Sequence, residues 1–158
     1  MKGRLPERPL APFDDELRAH GMEIRREGDL LYCSGKLRAG AYRLPGNVSS
    51  QYISGLLMSL PFTDGDSTLE ITGSIESEGY ITMTEEALRL AGINFEKRGN
   101  EYMIPGGQCA SLPKLLEVEG DYSNAAFFLC MGALSERGVR VLGLSADSRQ
   151  GDLSLIHI

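Results

Sequence analysis

The chain has 158 residues, 42% of them hydrophobic and 24% charged, with a net charge of −6. This is the composition of a folded globular chain of one ordinary domain or a piece of a larger one, and it excludes disordered and fibrous classes. The negative balance argues against a general nucleic-acid surface, so an anionic ligand would need a local pocket of donors.

Residues 14–20 predict a short helix ending at Gly21. MEIRRE and LLYCSG then alternate on either side of Gly28-Asp29, a turn signal between two strands of a hairpin. Residues 41–44 read as a strand leading into LPGNVSSQYISGLLMSL, the stretch around which the chain is organised. There Pro45 and Gly46 end the strand, Asn47, Ser49 and Ser50 are N-cap residue types, and Ile53, Leu56, Leu57 and Leu60 recur at helical spacing. A helix mouth carries unsatisfied N–H groups and the positive end of the dipole, so hydroxyls and an amide gathered there suit a phosphate or carboxylate as well as an ordinary cap.

Residues 68–72 predict a strand, followed by SIESEGYITMT and a helix over 84–91 closed by Gly92. INFEKRGNEYMIPGG repeats the earlier hairpin with Gly99-Asn100 at its turn. Gly120, Asp121, Ser123 and Asn124 open a further capped helix, with a strand expected at 139–142. Asp121 can be read as an acid catalyst or as the cap of that helix, matching a cap by Asn47 in the earlier one.

Aligning Leu17 with Leu88 superposes LRAHGMEIRREGDLLYCSG on LRLAGINFEKRGNEYMIPG without a gap, and aligning Gly46 with Gly120 superposes GNVSSQYISGLLMSL on GDYSNAAFFLCMGAL. The fold class is therefore α/β (α+β), built from repeated βαβαββ modules, with one complete module over about 41–105 and parts of others on either side. One module has amphipathic faces that need neighbours. The chain is accordingly read as incomplete at both ends, with 153–158 a truncated or non-native tail, and exposed module faces predict marginal stability or association.

Cys33, Cys109 and Cys130 are unevenly spaced and expected to be reduced and buried; with only His20 and His157, no metal cluster or histidine triad can be assembled. The longest apolar run, 125–134 broken by Gly132, is too short to cross a bilayer, and a cytoplasmic protein is expected.

Glu7-Arg8-Pro9, GNVSSQ at 46–51, SEGYITMT at 77–84, VEGDYSNAAFF from Val118 and SRQGD from Ser148 stand in the order found in one family. With the repeat, the chain resembles the central part of the 5-enolpyruvylshikimate-3-phosphate synthases, the shikimate-pathway enolpyruvyl transferases. That resemblance implies an incomplete inside-out barrel, with 1–118 in the shikimate-3-phosphate-binding domain and 119–152 beginning a second domain. It implies that Ser49 and Ser50 hold the phosphate of shikimate 3-phosphate, that Ser77 and Tyr80 contact the same substrate, and that Gln51 reaches both substrates. Arg8 would grip phosphoenolpyruvate, for which a planar guanidinium is suited. From the residues alone, Tyr80 equally fits a ring packed on the next helix and Arg8 a surface charge.

The family's acid and base groups fall in stretches upstream and downstream, so no catalytic residue, metal or cofactor is assigned, and the chain is expected to be inactive alone. The implied partners are the two small substrates, with no nucleic acid or membrane and a monomeric parent. Glu78-Gly79 and Thr82 depart from the family's usual residues and put the geometry of that loop in question. A transferase acting on UDP-N-acetylglucosamine, which should lack the Ser-Ser-Gln cradle, and a noncatalytic scaffold are the rival readings.

Overall fold

The computed structural model describes residues 10–156. Helix α1 (Phe13–Ala19) is followed by strands β1 (Met22–Glu27) and β2 (Leu30–Gly35), which pair antiparallel as a separate two-stranded sheet. The complete module follows as β3 (Ala41–Pro45), α2 (Ser50–Ser59), β4 (Ser67–Thr72), α3 (Glu78–Leu90), β5 (Glu96–Arg98) and β6 (Glu101–Ile104). Its four strands lie in the order β3-β4-β6-β5, with β3 and β4 parallel and the other pairings antiparallel. The two sheets share no ladder, so no closed barrel forms among the described residues. Helix α4 (Tyr122–Ala133) and a 3₁₀ segment, Gly151–Ile156, complete the described elements.

Alternation along the strands decides the layering. Tyr42, Leu44, Leu69, Ile71, Tyr102 and Ile104 are all buried on one sheet face, whereas Arg43 and Glu70 form an exposed ion pair at 3.2 Å on the other. The buried face meets Ile53, Leu56 and Leu57 of α2 and Ile81 and Leu88 of α3 in a single core. Each such side chain contributes about 2 kcal/mol by leaving water. Among the described residues, the helices cover only one face of this sheet.

The internal repeat is visible in backbone geometry. Gly21 and Gly92 both close a helix at positive φ (98° and 73°), and Gly28 and Gly99 both turn a hairpin at positive φ (54° and 60°). These are conformations that a Cβ disfavours. The acid–arginine pair one turn apart also recurs, as Asp14–Arg18 at 2.9 Å and Glu85–Arg89 at 3.2 Å.

Three expectations are corrected. Helix α3 begins at Glu78 rather than at 84, because Ile81, Glu85 and Leu88 form a buried stripe that outweighs the weak helix propensity of Gly79, Thr82 and Thr84. Residues 139–142 are not a strand, since no ladder partner reaches them among the described residues. The three cysteines are free, as expected, but exposed: Cys33 is on β2 of the small two-stranded sheet, and Cys130 shares α4 with the exposed Phe127, Phe128, Met131 and Leu134. Among the described residues no helix is long and apolar enough to cross a membrane.

Candidate functional site

Parallel strands β3 and β4 end side by side, so the loops leaving them, 46–49 into α2 and 73–77 into α3, must share one edge of the sheet. They are bonded together there. Gly46 donates to the Thr72 carbonyl (2.9 Å) and accepts from the Glu76 amide (3.1 Å). A Cβ on Gly46 would lie 2.7 Å from the Ser74 carbonyl oxygen, so only glycine permits this approach. Two helix N-termini are thereby held against each other beyond the carboxyl ends of two parallel strands, the region where α/β ligand sites collect.

At the mouth of α2, Ser49 occupies the N-cap position with extended backbone, and its hydroxyl makes no capping bond. The expected cap by Asn47 is therefore not formed; Asn47 lies in a turn two residues outside the N-cap. The equivalent residue in the repeat behaves differently. Asp121 is the N-cap of α4 and accepts from the Asn124 amide at 3.2 Å, a bond that holds its carboxyl below the usual carboxylate range. Asp121 is thus a cap, as its spacing suggested, and α4 starts at once while α2 starts two residues later in register. That delay leaves Ser49 and Ser50 at the very mouth of α2, half-buried and facing the end of the dipole.

From this mouth a groove of about 600 Å³ runs between α2 and α3, lined by Ser50, Gln51, Ser54 and Met58 on one side and Tyr80, Met83, Thr84 and Ala87 on the other. Residues spaced by four stack on one helix face, so Ser50, Ser54 and Met58 form one ridge and Tyr80 and Thr84 begin the other. Tyr80 therefore stands in the first turn of a helix rather than in a loop. Tyr80 is 46% exposed and its hydroxyl donates to Asp152 Oδ2 at 3.2 Å. The Asp152 hydrogen bond, followed by that carboxylate's charge, raises the phenol's pKa above its ordinary value.

Ser77 precedes α3 at its N-cap with φ 59° and ψ 43°, the only non-glycine at positive φ among the described residues, and it makes no side-chain cap. The structure thus brings Ser50, Gln51 and Tyr80 onto one groove, with Ser49 at its mouth and Ser77 on the adjoining loop. Arg8 lies outside the described residues. Glu78-Gly79 proves to be the first turn of α3, where Gly79 packs 3.4 Å, measured from an ideal Cβ, from the Arg149 carbonyl, and Thr82 bonds back to the Glu78 carbonyl at 3.2 Å. Ser54, Thr84 and Asp152 were not foreseen; the four-residue steps from Ser50 to Ser54 and from Tyr80 to Thr84 were the available signal.

A second depression, of about 640 Å³, lies at the opposite ends of β3 and β4 and includes Asp66 and Glu96. Its acidic lining suits an anion poorly, and the helix mouths are at the other end. No cluster of three or more metal-ligand residues occurs among the described residues.

The profile of EPSP synthase (3-phosphoshikimate 1-carboxyvinyltransferase) matches residues 2–158. Among curated relatives, the 3-phosphoshikimate 1-carboxyvinyltransferase of Clostridium kluyveri is 40% identical over 99% of this chain and 37% of its own length. That of Clostridium beijerinckii is 41% identical over 99% of this chain and 36% of its own length. An EPSP synthase structure from Acinetobacter baumannii superposes with a TM-score of 0.62 and 26% identity, covering 85% of this chain and 30% of that one. The chain thus spans little more than a third of the length of the curated relatives it matches.

Proposed function

The chain belongs to the EPSP synthase family, and from that premise we propose that it is the central part of a transferase moving the enolpyruvyl group of phosphoenolpyruvate to the 5-hydroxyl of shikimate 3-phosphate. The observation that carries this reading is the groove between α2 and α3 opening at a helix mouth whose Ser49 hydroxyl is not used as a cap. Ser49 and Ser50 donate their hydroxyls to the phosphate of shikimate 3-phosphate, supported by the free N–H groups and dipole of α2. Gln51, exposed one residue further along, offers an amide to both substrates, and the neutral Tyr80 ring packs along the sugar-like ring. Ser77 approaches from the loop bonded to Gly46, and Arg8 holds phosphoenolpyruvate.

In this reaction the enol carbon is protonated, the hydroxyl attacks, and phosphate is later lost, which demands positioned acid–base groups and cations. None of the residues in this groove is assigned that work. Residues 1–118 belong to the shikimate-3-phosphate-binding domain and 119–152 begin the second. The full-length protein is a cytoplasmic monomer whose partners are these two small molecules rather than nucleic acid or membrane. The complete reading frame is expected to release phosphate from phosphoenolpyruvate only when shikimate 3-phosphate is present, and the 158-residue chain alone to release none. A full-length protein that releases no phosphate under these conditions overturns the reading.

The left-handed backbone at Ser77 gives a separate test. Ser77→Gly removes strain of about 1 kcal/mol and the hydroxyl together. A raised thermal midpoint combined with weaker shikimate 3-phosphate binding is expected, read by melting and titration of the same sample. Stability and affinity moving in the same direction would contradict a binding role for that hydroxyl.

A further inference from the structure

We propose that Ser54 and Thr84 are positioning residues for the substrate groove: a two-hydroxyl link that sets the distance between the helix carrying Ser49–Gln51 and the backbone of Tyr80. The inference rests on the shikimate 3-phosphate site proposed above. Thr84 Oγ1 lies 3.0 Å from the Tyr80 carbonyl oxygen, to which it donates, and 2.8 Å from Ser54 Oγ. A hydroxyl has a single proton, so with Thr84 donating to the carbonyl, Ser54 must be the donor in the pair. The order is therefore Ser54 to Thr84 to the Tyr80 carbonyl, a directed chain from α2 to a groove residue. It continues one step further, because the Tyr80 amide donates to the Ser77 carbonyl at 3.1 Å.

Both residues line the groove and both are half-buried. Serine and threonine are not favoured in helix interiors, and a threonine bonding back to the preceding turn costs helix stability. Apolar residues at these two steps would pack α2 on α3 without that cost. What hydroxyls add is a fixed donor–acceptor distance, which apolar contact does not supply. Losing it lets the first turn of α3, with Tyr80 and Ser77, shift relative to the mouth of α2. The substrate bridging the two helices then loses simultaneous contact with both, while one bound to either helix alone does not.

The test uses the full-length enzyme with Thr84→Val, Thr84→Ser, Ser54→Ala and the Ser54→Ala/Thr84→Val pair. Thr84→Val is expected to raise KM for shikimate 3-phosphate about fivefold, the scale of one hydrogen bond, with kcat and the KM for phosphoenolpyruvate within about twofold of wild type. Thr84→Ser is expected to restore the wild-type value, and the double variant to be no worse than Thr84→Val, since both act through one link. An unchanged KM in Thr84→Val, failure of Thr84→Ser to restore it, or additive single effects overturns the positioning role while leaving the site intact. A wild-type enzyme that binds no shikimate 3-phosphate overturns the ligand reading and the positioning role with it.

Discussion

Replacing Ser49 and Ser50 together by alanine is expected to weaken shikimate 3-phosphate binding on the order of a hundredfold, with little change in stability. Hydrogen bonds to a charged acceptor contribute about 1.5–3 kcal/mol each, and two removed from one phosphate are less than additive because they share it. The N–H groups and dipole of α2 survive the substitution, so binding is weakened rather than abolished. An ordinary N-cap serine could not be changed so cheaply, since alanine there costs about 1 kcal/mol. Ser49 makes no capping bond, so that loss does not apply. Calorimetric titration of the full-length protein beside a melting curve separates the two effects. Affinity unchanged within a factor of two would return the serines to being surface residues at a helix end.

The parts of this fold that are legible in the sequence are those set by local rules. Glycines at 21, 28, 92 and 99 mark turns because their backbone is left-handed, and the matching of two hairpins makes the module visible in the sequence. Helix α3 and residues 139–142 were misread because what decides them is not local. The first turns of α3 contain a glycine and two threonines and are held in place by burial of Ile81 and Glu85. Residues 139–142 alternate as a strand should, but alternation only prepares a ladder that a second strand must supply.

The site divides in the same way. A serine pair before an apolar helical stripe is visible in sequence, yet Asn47 and Asp121 occupy equivalent positions and only the aspartate caps. The carboxylate draws the Asn124 amide into a helix immediately, while α2 begins beyond a turn that Gly46 makes by pressing on the next loop. That contact joins residues nearly thirty apart in the chain, and no local pattern announces it. Tyr80 was foreseen through family resemblance alone, and its place on a helix rather than in a loop follows from the tertiary burial that starts α3 early.

Glu85→Ala is expected to destabilise the module by about 3 kcal/mol, the scale for removing one partner from a buried charged network. Glu85 is 6% exposed, in the middle of α3. Its Oε1 accepts from the Tyr102 hydroxyl at 2.6 Å and from Lys97 at 3.0 Å, and its Oε2 from Arg89 at 3.2 Å. Burial by itself pushes the carboxyl's pKa up, but the Tyr102 and Lys97 bonds, with Arg89 behind them, outweigh it and the pKa is lowered. Burial and the same carboxylate push the Tyr102 phenol well above its ordinary value. Arg89 is largely exposed and adds little, so the loss comes chiefly from the orphaned Tyr102 hydroxyl and Lys97. In the first half of the repeat the tyrosine's position is held by Leu31, and Asp14–Arg18 has no such anchor. A carboxyl whose pKa is lower folded than unfolded stabilises the fold fully above the unfolded value, about 4.3, and progressively less as pH falls through the folded one. The wild-type module should therefore lose stability on acidification below about pH 5, and Glu85→Gln, which cannot titrate, should lose less over the same interval. Hydrogen exchange of the β6 amides between pH 4 and 7, corrected for the intrinsic rate and converted to opening free energies, reads both effects locally. Equal acid sensitivity in wild type and Glu85→Gln would mean that other carboxylates, not this one, tie α3 to the sheet.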